Sequence, residues 1–149
     1  MGKRITTVLQ DHDAVLAWLA GRIQSARGSE REFVQHEFLQ CVGTHVLAID
    51  SVLKPVLQQV GVSSQLSDWC EANENLKSGL AEALTSVNDE ARFDAALKRI
   101  TTMLNQVREQ EGERLATLLT QHLSDGELRL LGADVRLFLG HRVSKLGRA

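Results

Sequence analysis

Residues 5–25 read ITTVLQDHDAVLAWLAGRIQS, and Ile5, Val8, Leu9, His12, Val15, Leu16, Leu19 and Ile23 recur there at steps of three and four. Side chains spaced in this way line one face of an α-helix, whereas a half-buried strand would alternate. Gly28 breaks the pattern, so the stretch predicts one amphipathic helix.

The same period continues outward from that segment. Ser29 and Glu32 stand in capping-box spacing ahead of Phe33, Val34, Phe38, Cys41, Val42, His45, Ile49, Val52, Leu53 and Val56, with Gly61 after them. Pro55 is expected to kink or end that second helix in its last turn. A third stripe carries Leu66, Trp69, Asn73, Leu76, Leu80, Ala83 and Val87 as far as the turn signal Asn88-Asp89. A long fourth stripe carries Phe93, Ala96, Leu97, Ile100, Met103, Gln106, Val107, Gln110, Arg114, Leu115, Leu118 and Leu119, with Gly112 inside it as a bend or weak point. Ser124 and Glu127 form another capping box, opening a fifth helix with Leu128, Leu131, Val135, Phe138, Leu139 and Val143 on one face. Short links between long helices predict an all-α, up-down four-helix bundle with an additional C-terminal helix packed across it. One domain over residues 1–149 is expected, with the bundle at about 5–123 and the last helix at about 125–146.

Composition narrows the function classes. A chain of 149 residues can bury a core without disulfides, and 43% apolar with 24% charged residues excludes a disordered chain. A net charge of -2 gives no field that would draw nucleic acid or an anionic membrane. No apolar run reaches the roughly 20 residues of a membrane span. Gly2, Lys3 and Arg4 are not followed by a signal-type segment, so a cytoplasmic location is expected. Cys41 and Cys70 lack CxxC spacing and are expected as reduced thiols. The motifs of serine hydrolases, phosphate loops and dinucleotide sites are missing, and an enzyme is the less favoured class.

Five polar residues interrupt the core-facing stripes: His12, His45, Asn73, Gln106 and Gln110. An unpaired polar group in a core costs about 1–3 kcal/mol, so these must bond one another, water or a ligand. Bundle cores are where helical proteins build metal and cofactor sites, from side chains that project inward off facing helices. Trp18 and Trp69 are expected as packing anchors, and His36, His122 and His141 at the surface. Arg129, Arg136, His141, Arg142, Lys145 and Arg148 lie beside the apolar stripe of the fifth helix, and Asp125, Glu127 and Asp134 offset part of that charge, which favours a solvated face over a partner surface.

In order and spacing these residues resemble the haemerythrin-like (HHE cation-binding) domain family over roughly residues 5–131. Leu9-Gln10-Asp11-His12-Asp13 is similar to the family's first-helix DH motif. His45 followed by Val52-Leu53-Lys54-Pro55-Val56-Leu57 resembles its HxxxEE segment running into VLYPAL. Glu71-Ala72-Asn73-Glu74-Asn75-Leu76 looks like its EHEEL element, and Gln106-Val107-Arg108-Glu109-Gln110-Glu111 like its last HxxxEE.

The resemblance implies a di-iron site, and position by position only His12 and His45 keep its imidazoles. Ile49 stands for a carboxylate, Asn73 for a histidine, and Gln106 and Gln110 for the last histidine and glutamate. Asp50 and Glu111 lie one residue further on, and one step turns a side chain about 100° away from the ligand face. An iron pair in a low-dielectric core needs anionic ligands, and this frame supplies none. No cofactor is therefore expected, with iron as the alternative. A single metal on His12, His45 and Cys41 is a further alternative to a packed, hydrogen-bonded polar layer. The implied function is a haemerythrin-like protein that has lost di-iron and oxygen binding. Its role would be interaction or regulation, through a homodimer or a protein partner at the C-terminal helix. The alternative is an iron protein that senses, stores or detoxifies oxygen, nitric oxide or peroxide.

Overall fold

The computed structural model describes residues 2–146, with side chains through Leu139. The expectations for His141, Arg142, Val143, Lys145 and Arg148 lie outside the described side chains. Every element among the described residues is helical, as the periodicity predicts.

Helix α1 spans Ile5–Ser25 and buries Ile5, Val8, Leu9, Leu16, Leu19 and Ile23, the stripe of the opening stretch. Gly28, at φ 58°, takes the left-handed conformation that lets α2 (Gly28–Ala48) start after a two-residue link. Arg27 is the N-cap and no side chain caps this helix, so the Ser29–Glu32 box does not form. The Arg22–Glu30 ion pair crosses the link instead. Two aromatics leave the interior: Trp18 is 51% exposed and Phe33 is exposed, whereas Trp69 is fully buried as expected.

Pro55 neither ends nor breaks the second rod. A π-helical turn, Ile49–Leu53, precedes α3 (Lys54–Val60), and the Lys54 N–H bonds to the Ile49 carbonyl across the widened turn. Proline has no N–H and its ring crowds the preceding turn, and Pro55 at the start of α3 sits where neither is costly. The rod stops at Gly61, φ 79°, where Gly61 N–H bonds Gln58 O and Val62 N–H bonds Leu57 O in a Schellman arrangement. A 3₁₀ turn, Ser63–Leu66, leads into α4 (Ser67–Thr85). Asp89 then caps α5 (Glu90–Gln110), its carboxylate accepting from the Arg92 N–H. A second π-helical turn, Glu111–Leu115, contains Gly112 and joins α5 to α6 (Ala116–His122). The Ser124–Glu127 box does form, with both reciprocal bonds made, and opens α7 (Asp125–Leu146).

The core has two parts. One gathers around Phe38, Val42, Leu76, Ile100 and Val107, the other around Leu53, Trp69, Leu115 and Val135. Helix α7 belongs to the second, where Leu128, Leu131, Val135 and Leu139 pack with Ile5 and Leu53. Between the parts lies one residue of each rod. His12 falls between Leu9 and Leu16, His45 between Val42 and Ile49, Asn73 between Trp69 and Leu76, and Glu111 between Val107 and Leu115. A polar layer thus divides two apolar clusters.

Candidate functional site: a buried polar layer

His12, His45, Asn73 and Glu111 are all buried, and Asp13 borders them. The His12 and His45 rings stack with centroids 5.4 Å apart and planes 7° from parallel. His45 Nε2 stands 4.0 Å from Glu111 Oε2. Asn73 Nδ2 donates to the Trp69 carbonyl one turn back, at 2.9 Å.

The glutamate is the principal correction to the sequence frame. The inward stripe of α5 and the π-helical turn after it runs Ile100, Leu104, Val107, Glu111, Leu115, so Gln106 is exposed and Gln110 only half-buried. In this rod the buried pair is Val107 with Glu111, each one residue on from Gln106 and Gln110, the pair that the resemblance implies. The expectation that the layer holds no carboxylate is therefore overturned. The stripe was present in the sequence, but Met103, Gln106 and Gln110 fit a helical period equally well. Asp50 behaves as expected: it faces out, bridging Lys54 at 2.9 Å and Lys77 at 2.7 Å. Ile49 and Asn73 are buried where expected, and Asp13 is a member that sequence reasoning missed.

Burial decides the charge of the layer. Loss of hydration pushes His12 down to about 4, against a weak pull from the Cys41 main chain. Desolvation, then the nearby His12, pushes His45 down to about 3. Glu111 is raised well above the usual carboxylate range by desolvation and next by Asp13, while the Trp69 indole draws it the other way. Both shifts disfavour the charged forms, so burial opposes an ion pair between His45 and Glu111. Asp13 is raised to about 6 by desolvation, which Arg108 partly offsets from 3.9 Å. A cleft of about 80 Å³, lined by Gln10, Asp13, Arg108 and Glu111 among others, brings this edge of the layer to the surface.

Many of these polar atoms have no protein partner at full hydrogen-bond geometry: both ring nitrogens of His12, His45 Nε2, Asn73 Oδ1, Trp69 Nε1 and both oxygens of Glu111. Neutral imidazoles and a protonated carboxyl can both donate and accept, so the layer suits a small polar species better than a bare charge. Cys41 is buried one turn before His45 among the apolar residues of the Phe38 cluster. Among the described residues no three His, Cys, Asp or Glu side chains converge as a metal site.

Linkage gives a measurable consequence. A carboxyl whose folded pKa is raised contributes stability below its unfolded value, near 4.5, and loses it as pH rises toward the folded value. The two histidines have the opposite sign: with lowered pKa values they lose stability as pH falls from 6.5 toward about 4 and 3. Between about pH 4.5 and 6 the four groups nearly cancel and the wild-type curve is flat. Glu111→Gln removes one carboxyl contribution, so its stability relative to wild type should climb by about 1.4 kcal/mol per pH unit above 4.5. Urea denaturation at several pH values reads this directly, and parallel curves would refute a buried, protonated Glu111.

No protein-family model, curated protein or solved structure matches this chain.

Proposed function

We propose that this chain is an interaction or regulatory module, built on a haemerythrin-like bundle without a dinuclear iron centre, that works in the cytoplasm through protein contacts at α7. The observation that carries this reading is hydrocarbon at the layer: Ile49, which the resemblance puts at a carboxylate position, and Val107 beside it in the core are both fully buried, while Gln106, which it puts at a histidine position, is exposed. Asn73 spends its amide N–H on its own helix, and burial opposes charge on the one carboxyl at the centre. Two irons in such surroundings would lack the anionic charge that offsets their desolvation. Metal analysis by mass spectrometry, with a visible spectrum, on protein purified without chelator or affinity histidines should find no stoichiometric iron. Two irons per chain with charge-transfer absorption would end this reading.

A second reading has its own support. His45 Nε2 and Glu111 Oε2, 4.0 Å apart, would give one divalent cation two protein ligands. On that reading Zn²⁺, Mn²⁺ or Fe²⁺ raises the melting temperature of the wild type, and His45→Ala and Glu111→Gln each abolish the increase. Unchanged melting temperatures with all three ions would dismiss it.

A further inference from the structure

The cleft of about 80 Å³ at the edge of the polar layer joins two kinds of wall. Leu9, Leu115 and Leu119 line it with hydrocarbon, while Asp13 from α1 and Glu111 from the π-helical turn after α5 bring two carboxyl groups to the same space. Gln10, Arg108 and Gly112 are exposed and mark its mouth. A Cβ at Gly112 would meet no atom within 4 Å, so the mouth is open on that side.

The two acids are short of partners. The Glu111 side chain is 4% exposed and that of Asp13 10%, yet Asp13 Oδ1 and both Glu111 oxygens have no hydrogen-bond partner at full geometry. Arg108 does not meet the need: its Nε stands 3.9 Å from the other Asp13 oxygen, Oδ2, which is beyond hydrogen-bond length. Every buried, unpartnered side-chain atom that lines this cleft is therefore a carboxyl oxygen.

A buried carboxylate needs both hydrogen-bond donors and an opposite charge. A metal ion brings charge without donors and asks for a full shell of polar ligands, whereas three of the side chains here are leucines. An ammonium group brings donors and charge together. With about 30 Å³ for each water-sized group, the space takes about three non-hydrogen atoms, which is one nitrogen and two carbons.

We propose that the Asp13–Glu111 cleft binds a short primary alkylammonium ion. Its N–H groups donate to Asp13 Oδ1 and the Glu111 carboxylate, and its carbons lie against Leu9, Leu115 and Leu119. The site goes beyond the interaction reading. It also differs from a divalent-cation site on His45, which does not line the cleft.

Isothermal titration calorimetry of the full chain with ethylammonium chloride, at neutral pH and constant ionic strength, tests it. Ethylammonium should bind one to one. Tetramethylammonium, which has the charge but no N–H, and potassium should bind at least about tenfold more weakly. Asp13→Asn and Glu111→Gln keep the side-chain shape and each remove one negative charge, and circular dichroism should show both folded. Each should weaken ethylammonium binding about tenfold or more. No binding to the wild type, equal binding of tetramethylammonium, or undiminished binding by either variant would each overturn the proposal. Iron content and stabilisation by divalent ions are separate measurements, so the functional readings stand or fall on their own.

Discussion

Trp69→Ala is expected to remove about 3–5 kcal/mol of folding stability, a large share of what a domain of this size has. The side chain is fully buried among Leu53, Leu66 and Leu115, at the boundary where the second cluster meets the polar layer. Truncation would open a cavity there and remove the indole that faces Glu111. The two effects separate in a second variant. Trp69→Phe keeps most of the hydrocarbon and deletes the N–H, so its cost should be smaller and Glu111 should be pushed still higher. Guanidinium unfolding at neutral pH measures both, and a loss below about 1 kcal/mol for the alanine variant would mean that this boundary is not packed as described.

Gly132→Ala should be the most damaging of the glycine replacements, at about 1–3 kcal/mol or more. A Cβ there would stand 2.3 Å from the Lys3 carbonyl oxygen and 3.1 Å from the Arg4 carbonyl carbon and the Ile5 nitrogen. These are main-chain atoms that cannot rotate aside, so α7 or residues 3–5 must retreat. Arg129 bonds the Gly2 carbonyl and Arg4 pairs with Asp125 across the same junction, and both contacts would loosen. Hydrogen exchange should quicken at the start of α1 and along α7 while the cluster around Phe38 stays protected. Gly79→Ala is the control. Its Cβ would meet the Met103 sulfur at 2.9 Å, a flexible thioether that can move, and alanine favours the helix by about 1 kcal/mol. Equal losses from the two replacements would contradict the close approach at Gly132.

The two kinds of capping signal show how far local chemistry reaches. Ser124 and Glu127 form their box because the link before α7 is extended enough to let Ser124 take the N-cap position. Ser29 and Glu32 have the same spacing, but Gly28 already begins α2 in a left-handed turn and leaves Ser29 inside the helix. The sequence pattern is identical, and the backbone one residue earlier decides between the outcomes.

The period of apolar residues by itself determined the helices, their links and the placing of His12, His45, Asn73 and Ile49 at the core, because a helix face is a local property of spacing. Packing alone decided which face of α5 turns inward. Gln106 with Gln110 and Val107 with Glu111 lie on neighbouring faces of one rod, and the contacts of Val107 and Leu115 with two different clusters select the second pair. The charge state of the layer was likewise invisible in the sequence. A glutamate is acidic in water, and only enclosure between two apolar clusters, beside Asp13, raises its pKa.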